Sequence, residues 1–142
     1  MKLEKLPYRL SVCRTDRISD IDHDDAFYFI GRTDEEISLV CRTEHVPAGV
    51  KDREDGWRCF RIQGVLDFSL VGILADLSRI LAENMIGIFA VSTFNTDYIL
   101  VKEENFDRAM EVLADAGYEI LNRKSLHETD RLYMVQFACM QE

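Results

Sequence analysis

The sequence predicts an α+β protein in which two helices cover one face of an antiparallel sheet. Two amphipathic stripes and several short alternating segments carry that prediction. In the first stripe, Leu70, Ile73, Leu74, Leu77, Ile80 and Leu81 recur at helical spacing and define one apolar face over LVGILADLSRILAEN. In the second, Phe106, Ala109, Met110 and Leu113 do the same over NFDRAMEVLADAGY, with Asn105 placed to cap the start and Gly117 to end the helix. Around them, Trp57 to Gln63 alternates, Ile86 to Ser92 is almost wholly apolar, Tyr98 to Lys102 follows it, and Tyr118 to Leu121 makes a short last segment. Residues 57–122 therefore read β-α-β-β-α-β, the ferredoxin-like order.

The first half is richer in strands. Tyr8 to Arg14, Ala26 to Gly31 and Glu36 to Cys41 are the candidates, with a polar break at Asp34-Glu35. The segment Glu44 to Gly56 holds a proline, two glycines and several charges, and reads as the main boundary. The expected division is residues 1–55, residues 56–124, and a tail over 125–142. That tail carries a final strand, Arg131 to Met140, expected to return and complete the sheet of the first half.

Composition excludes several classes of function. The chain has 142 residues with 26 acidic against 17 basic side chains, a formal charge of −9, and no basic cluster to recognise nucleic acid or an anionic membrane. MKLEKLPYRL has no apolar core of a signal peptide, and no run is long enough to span a bilayer, so a cytoplasmic protein is expected. Cys13, Cys41, Cys59 and Cys139 are far apart in sequence, and three of them sit in strand-like runs as small hydrophobes. The acidic run Asp20-Ile21-Asp22-His23-Asp24-Asp25 lacks the glycine and distal glutamate of a calcium loop and reads as solvated. Ser69 has no nucleophile elbow and no adjacent histidine base, and neither metal, cofactor nor catalysis is expected.

The turn Ser92-Thr93-Phe94-Asn95-Thr96-Asp97 is unusual in joining two apolar strands with hydroxyls, an amide and a carboxylate, without glycine or proline. The stretch GVLDFSLVGILADLSRILAENMIGIFAVST resembles the opening β-α-β of an ACT domain through Asp67, Gly72-Ile73-Leu74-Ala75 and Leu81-Ala82 leading to Ile86-Gly87-Ile88. The run from Ser92 to Glu103 is similar to that of the tandem ACT proteins related to the CASTOR arginine sensors. LPYRLSV, a DEISLVC-like strand (Asp34 plus Glu36 to Cys41) and WRCFRIQG extend the likeness along most of the chain. The resemblance implies two ferredoxin-like ACT units in tandem, the first degenerate, with a ligand at their interface and no catalysis.

A free amino acid offers a carboxylate and an ammonium close together. On that reading the backbone N–H groups of Val71, Gly72 and Ile73, at the mouth of the first helix, receive the carboxylate. Asp97 accepts the ammonium, beside Thr93, Asn95 and Thr96, while Phe68 and Phe94 supply apolar walls. Asp67 either caps the helix or faces the ligand; Ser69 belongs to the same loop. Gly72 alternatively permits close packing of helix on strand, and Asp97 alternatively stabilises the turn itself. The implied partners are a small molecule, an amino acid for preference, and a second copy of the chain as a homodimer. The competing expectation is a homo-oligomeric interaction module of the same fold with no ligand.

Overall fold

A computed structural model of the chain describes residues 1–63 and 70–123. The strands are β1 (Lys2–Lys5), β2 (Leu10–Thr15), β3 (Tyr28–Arg32), β4 (Ile37–Arg42), β5 (Asp52–Gln63), β6 (Phe89–Ser92), β7 (Asp97–Lys102) and β8 (Glu119–Asn122). The helices are α1 (Leu70–Glu83) and α2 (Glu103–Asp115), and short 3-10 turns lie at Ile18–Asp20 and Thr43–His45. The architecture is α+β, with a mixed sheet and two helices. Among the described residues no helix is long and apolar enough to cross a membrane. The expected strand 131–140 lies outside the described residues.

β5 organises everything else. Residues Trp57 to Arg61 pair with β7 on one edge, while β2 and β1 run in succession along the other. β7 continues to β6, and β2 to β4 and β3. One expectation is corrected here. The four-stranded antiparallel order puts the first and last strands of βαββαβ side by side, but β1 occupies that place. It pairs antiparallel with β5 and parallel with β8, which makes the sheet mixed. Leu3 is the only apolar residue of KLEK, so the alternation that reveals longer strands is too short to read.

A second correction concerns Asp52–Gly56, expected to belong to a link. It is the first half of β5. Its charges suit a strand because they lie exposed and pair across it, Asp52 with Arg14 at 2.6 Å and Glu54 with Lys102 at 2.6 Å. The strand bends between the pairs Leu10–Trp57 and Val12–Glu54, where one residue of β2, Ser11, stands opposite two of β5, Asp55 and Gly56. Gly56 sits in that bulge with φ of +83°. No atom lies within 4 Å of where its Cβ would project. Gly56→Ala is therefore expected to cost about 1–2 kcal/mol through backbone strain alone, seen as a lower urea midpoint with an unchanged slope.

The bend sets the layers. One face of the sheet packs Leu3, Phe60, Ile62, Ile99 and Val101 against Leu77 and Leu81 of α1 and Phe106 and Leu113 of α2. The other face turns Cys59 and Leu100 toward Leu6, Tyr8, Phe27 and Val40, so β2, β4 and β3 fold back over it. Phe29 of β3 meets Tyr98 of β7 with ring centroids 5.1 Å apart.

Both helices end in a Schellman motif. After α2, Tyr118 N–H donates to the Leu113 carbonyl and Gly117 N–H to that of Ala114, with Gly117 at φ +104° as the sequence predicts. After α1 the same bonds run from Ile86 to Leu81 and from Met85 to Ala82, with Met85 in the left-handed region. The buried Ile86 belongs to this cap, so β6 begins only at Phe89. Asn105 does not cap α2. The helix starts at Glu103, straight out of β7, and Glu103 and Glu104 place negative charge in its first turn.

Candidate functional site

The hydroxyl-rich turn is a four-residue loop closing the β6–β7 hairpin, whose last strand pair is Ser92 with Asp97. Thr93 N–H donates to the Thr96 carbonyl at 2.8 Å, and the Thr93 hydroxyl donates to the same oxygen at 2.9 Å. The Thr96 N–H returns a bond to that hydroxyl at 3.3 Å. The Thr96 side chain is buried and its hydroxyl donates to the Ile62 carbonyl at 2.5 Å. Both hydroxyls expected to lie beside a ligand thus hold the turn together and stitch it to the end of β5. A loop without glycine or proline keeps its shape because its own side chains supply the bonds.

Asp97 is 7% exposed. It precedes Ile99 and Val101 at two-residue spacing, so it shares their face of the sheet, the one covered by the helices. Among the described residues no donor is hydrogen-bonded to its carboxylate. Phe94, by contrast, is 99% exposed and lines no wall among the described residues. Asn95 is exposed at the same tip.

α1 begins at Leu70. Asp67, Phe68 and Ser69 lie outside the described residues. Val71 occupies the first turn of the helix, and Ile73 is partly buried against the helix-side core. Gly72 is exposed, and a Cβ there would meet nothing within 4 Å. The space at this position does not itself call for a glycine. The Thr96–Ile62 bond ties the polar turn to the end of β5.

The acidic run is not wholly solvated. Asp25, whose side chain is 2% exposed, bonds Arg42 through Oδ1 and His45 Nδ1 through Oδ2, each at 2.6 Å. Burial pushes its carboxyl up, but the hydrogen bonds from His45 and Arg42 outweigh this and hold it below the ordinary range. Sequence alone gave no sign of this triad, because Asp25 lies 17 positions from Arg42 and 20 from His45. A depression of about 220 Å³ lies away from the turn, lined by residues that include Arg14, Arg17, Lys51 and Asp52. Among the described residues no group of three or more His, Cys, Asp or Glu side chains could hold a metal ion.

Comparison with known proteins agrees with this architecture. The ACT domain family model matches residues 52–115, from the first residue of β5 to the last of α2. The crystal structure of protein Atu0741 from Agobacterium tumefaciens is 34% identical, covering 87% of this chain and 94% of that one, with a TM-score of 0.77. VC0802 from Vibrio cholerae, described as a possible transport protein, is 21% identical over 80% of this chain and 88% of its own, at a TM-score of 0.66. The aspartate kinase of Clostridium acetobutylicum, described as an allosteric enzyme, shares the fold at 10% identity and a TM-score of 0.55, over 80% of this chain and 33% of its own. No curated protein matches the sequence. The chain belongs to the ACT-domain proteins. ACT domains are non-catalytic regulatory modules, and this chain carries one built on β5 and its two helices.

Proposed function

We propose that the protein binds a free amino acid between the first turn of α1 and the Thr93–Asp97 turn, and passes its binding state to a partner. The observation that carries this reading is the Asp97 carboxylate, buried on the helix side of the sheet at the end of a stitched polar turn. A buried carboxylate needs a cation or donors to offset its lost hydration, and a ligand ammonium is a cation of the right size. The open space beside the Gly72 Cα supports the other half of the site, since N–H groups in a first helical turn are unsatisfied and favour a carboxylate. The threonine hydroxyls are engaged within the turn, so the ammonium is recognised by Asp97 and by backbone carbonyls. The resemblance of Ser92–Glu103 to the arginine-sensor relatives supports an amino acid as the class of ligand.

In this proposal the strand-rich residues 1–55 form a degenerate second ACT-like unit, completed by the tail 125–142. Ligand binding shifts the packing between units or between two chains of a homodimer. The shift is limited to the ligand's difference in affinity for the two arrangements. One observation favours the alternative, an interaction module without a ligand. The exposed Phe94 stands at the tip of a hairpin whose strand β6 pairs only with β7 among the described residues, which suits contact with another copy.

Thermal denaturation against a panel of amino acids at millimolar concentration separates the two. A ligand at 100 times its dissociation constant adds about 2.7 kcal/mol, on the order of 10 °C in midpoint for a chain of this size. The expected result is a selective rise in the wild type that is absent in a folded Asp97→Ala variant. A flat panel, together with a dimer that dissociates on dilution, would sink the ligand reading in favour of the interaction module.

A further inference from the structure

We propose that Cys13 and Cys41 form a reversible cross-strand disulfide, a modification site independent of the ligand reading above. The β2–β4 register sets Cys13 opposite Leu39 and Ser11 opposite Cys41, so the two cysteines are diagonal neighbours. They lie on the same face of the sheet, because both belong with Leu39 and Ile21 to one buried cluster. Both thiols are free, and the Cys13 thiol also donates to the Leu39 carbonyl at 3.5 Å.

The chemistry of the two sulfurs differs. Each sulfur acts on the other, lowering Cys13 and raising Cys41, and the Arg53 guanidinium opposite Cys13 in β5 also lowers Cys13, against the opposing effect of burial. Cys13 is thus the nucleophile and Cys41 holds its proton as the resolving thiol. Cys59 makes the contrast. It is fully buried in the other cluster, and burial pushes its thiol up.

The oxidant is a hydroperoxide. The Cys13 thiolate attacks one peroxide oxygen, the O–O bond breaks, and the second oxygen leaves with a proton as water or alcohol. Cys13 becomes a sulfenic acid as the peroxide takes two electrons. The Cys41 sulfur then attacks the sulfenic sulfur, the S–O bond breaks, and the hydroxyl leaves as water with the Cys41 proton. Reaction proceeds when the connections over the pair lift. Ile21, Val46 and Val50 cover it, and all three lie in segments between strands. Diagonal positions in a regular sheet have Cα atoms about 7–8 Å apart, whereas a disulfide spans roughly 4.4–6.8 Å. The bond therefore draws β2 and β4 together under strain, which places it among the readily reduced, reversible disulfides.

The test is hydrogen peroxide treatment of the full chain, followed by intact mass and a non-reducing tryptic map. The expected result is loss of two hydrogen masses, one crosslink joining the peptides Leu10–Arg14 and Thr33–Arg42, and full reversal by dithiothreitol. In Cys41→Ser, Cys13 stops at the sulfenic acid and is trapped by dimedone. If that variant does not fold, the wild-type map still decides. A crosslink from Cys13 to Cys59 or Cys139, sulfinic acid on Cys13 with Cys41 unmodified, or no mass change under conditions that oxidise a free thiol would each overturn the proposal.

Discussion

Asp25→Ala is expected to destabilise the protein by about 3 kcal/mol, the cost of breaking a mostly buried ion pair by removing one partner. The carboxylate is 2% exposed and meets Arg42 and His45 at once, so its loss leaves two donors facing an empty site. Arg42 also lies 5.9 Å from the centroid of the Tyr8 ring, a contact that does not replace the lost charge. The damage falls on the connection between β2 and β3, which Asp25 anchors to β4 and to the 3-10 turn at Thr43–His45. The pH dependence has a definite sign. The folded carboxyl titrates below its unfolded value, so its stabilisation is fully present above about pH 4 and is lost as pH falls through the folded value. Asp25→Asn should therefore give a flatter acid limb in a plot of stability against pH. Urea midpoints measured from pH 7 down to the onset of acid unfolding check both statements, and an acid limb as steep as the wild type's would remove Asp25 as its source.

The parts of this fold that were legible in the sequence are those with a long period. The stripes of α1 and α2 repeat over three turns, and the helices meet the core through Ile73, Leu74, Leu77, Ile80 and Leu81 of α1 and through Phe106, Ala109, Met110 and Leu113 of α2. Gly117 announced its own helix end because a left-handed residue at that position is most simply glycine. Met85 fills the same role after α1 and gave no signal, since a methionine there is chosen against its own backbone preference. The start of α2 was misplaced for a related reason. A capping side chain is readable, but a strand that turns straight into a helix without one is not.

The candidate site divides along the same line. Its polar turn was visible as a break in apolar patterning, yet its anchoring to the sheet depends on Thr96 reaching Ile62, 34 positions away. No local rule connects those two residues. The Asp25 triad and the Cys13–Cys41 pair were hidden for the same reason: each exists only because the register of β2, β3 and β4 brings separate segments together. Resemblance along the chain reached the turn, but it carried no information about which hydroxyls the turn would use for itself.

Strand β1 is where sequence reading and structure differ most, and it supports the second large effect. Glu4→Ala is expected to cost about 3 kcal/mol, because this one carboxylate holds two guanidinium groups. Glu4 Oε1 accepts from Arg61 Nε at 2.9 Å and from Arg123 Nε at 2.7 Å, and its side chain is only 12% exposed. Arg61 belongs to β5 and Arg123 follows β8, so the contact joins the two strands that β1 separates. Without Glu4 the two cations confront each other across β1 in a half-buried setting, with nothing to offset their lost hydration. Glu4→Gln restores size and one acceptor but not charge, so it should fall between the wild type and Glu4→Ala. The local consequence is specific. β8 has β1 as its only strand partner among the described residues, so loosening β1 releases β8 together with the end of α2. Hydrogen exchange is the deciding measurement. Amides of Glu119 to Asn122 should lose protection in Glu4→Ala before those of β2 and β4, and a uniform loss across the sheet would show that β1 is not the separate clamp its position implies.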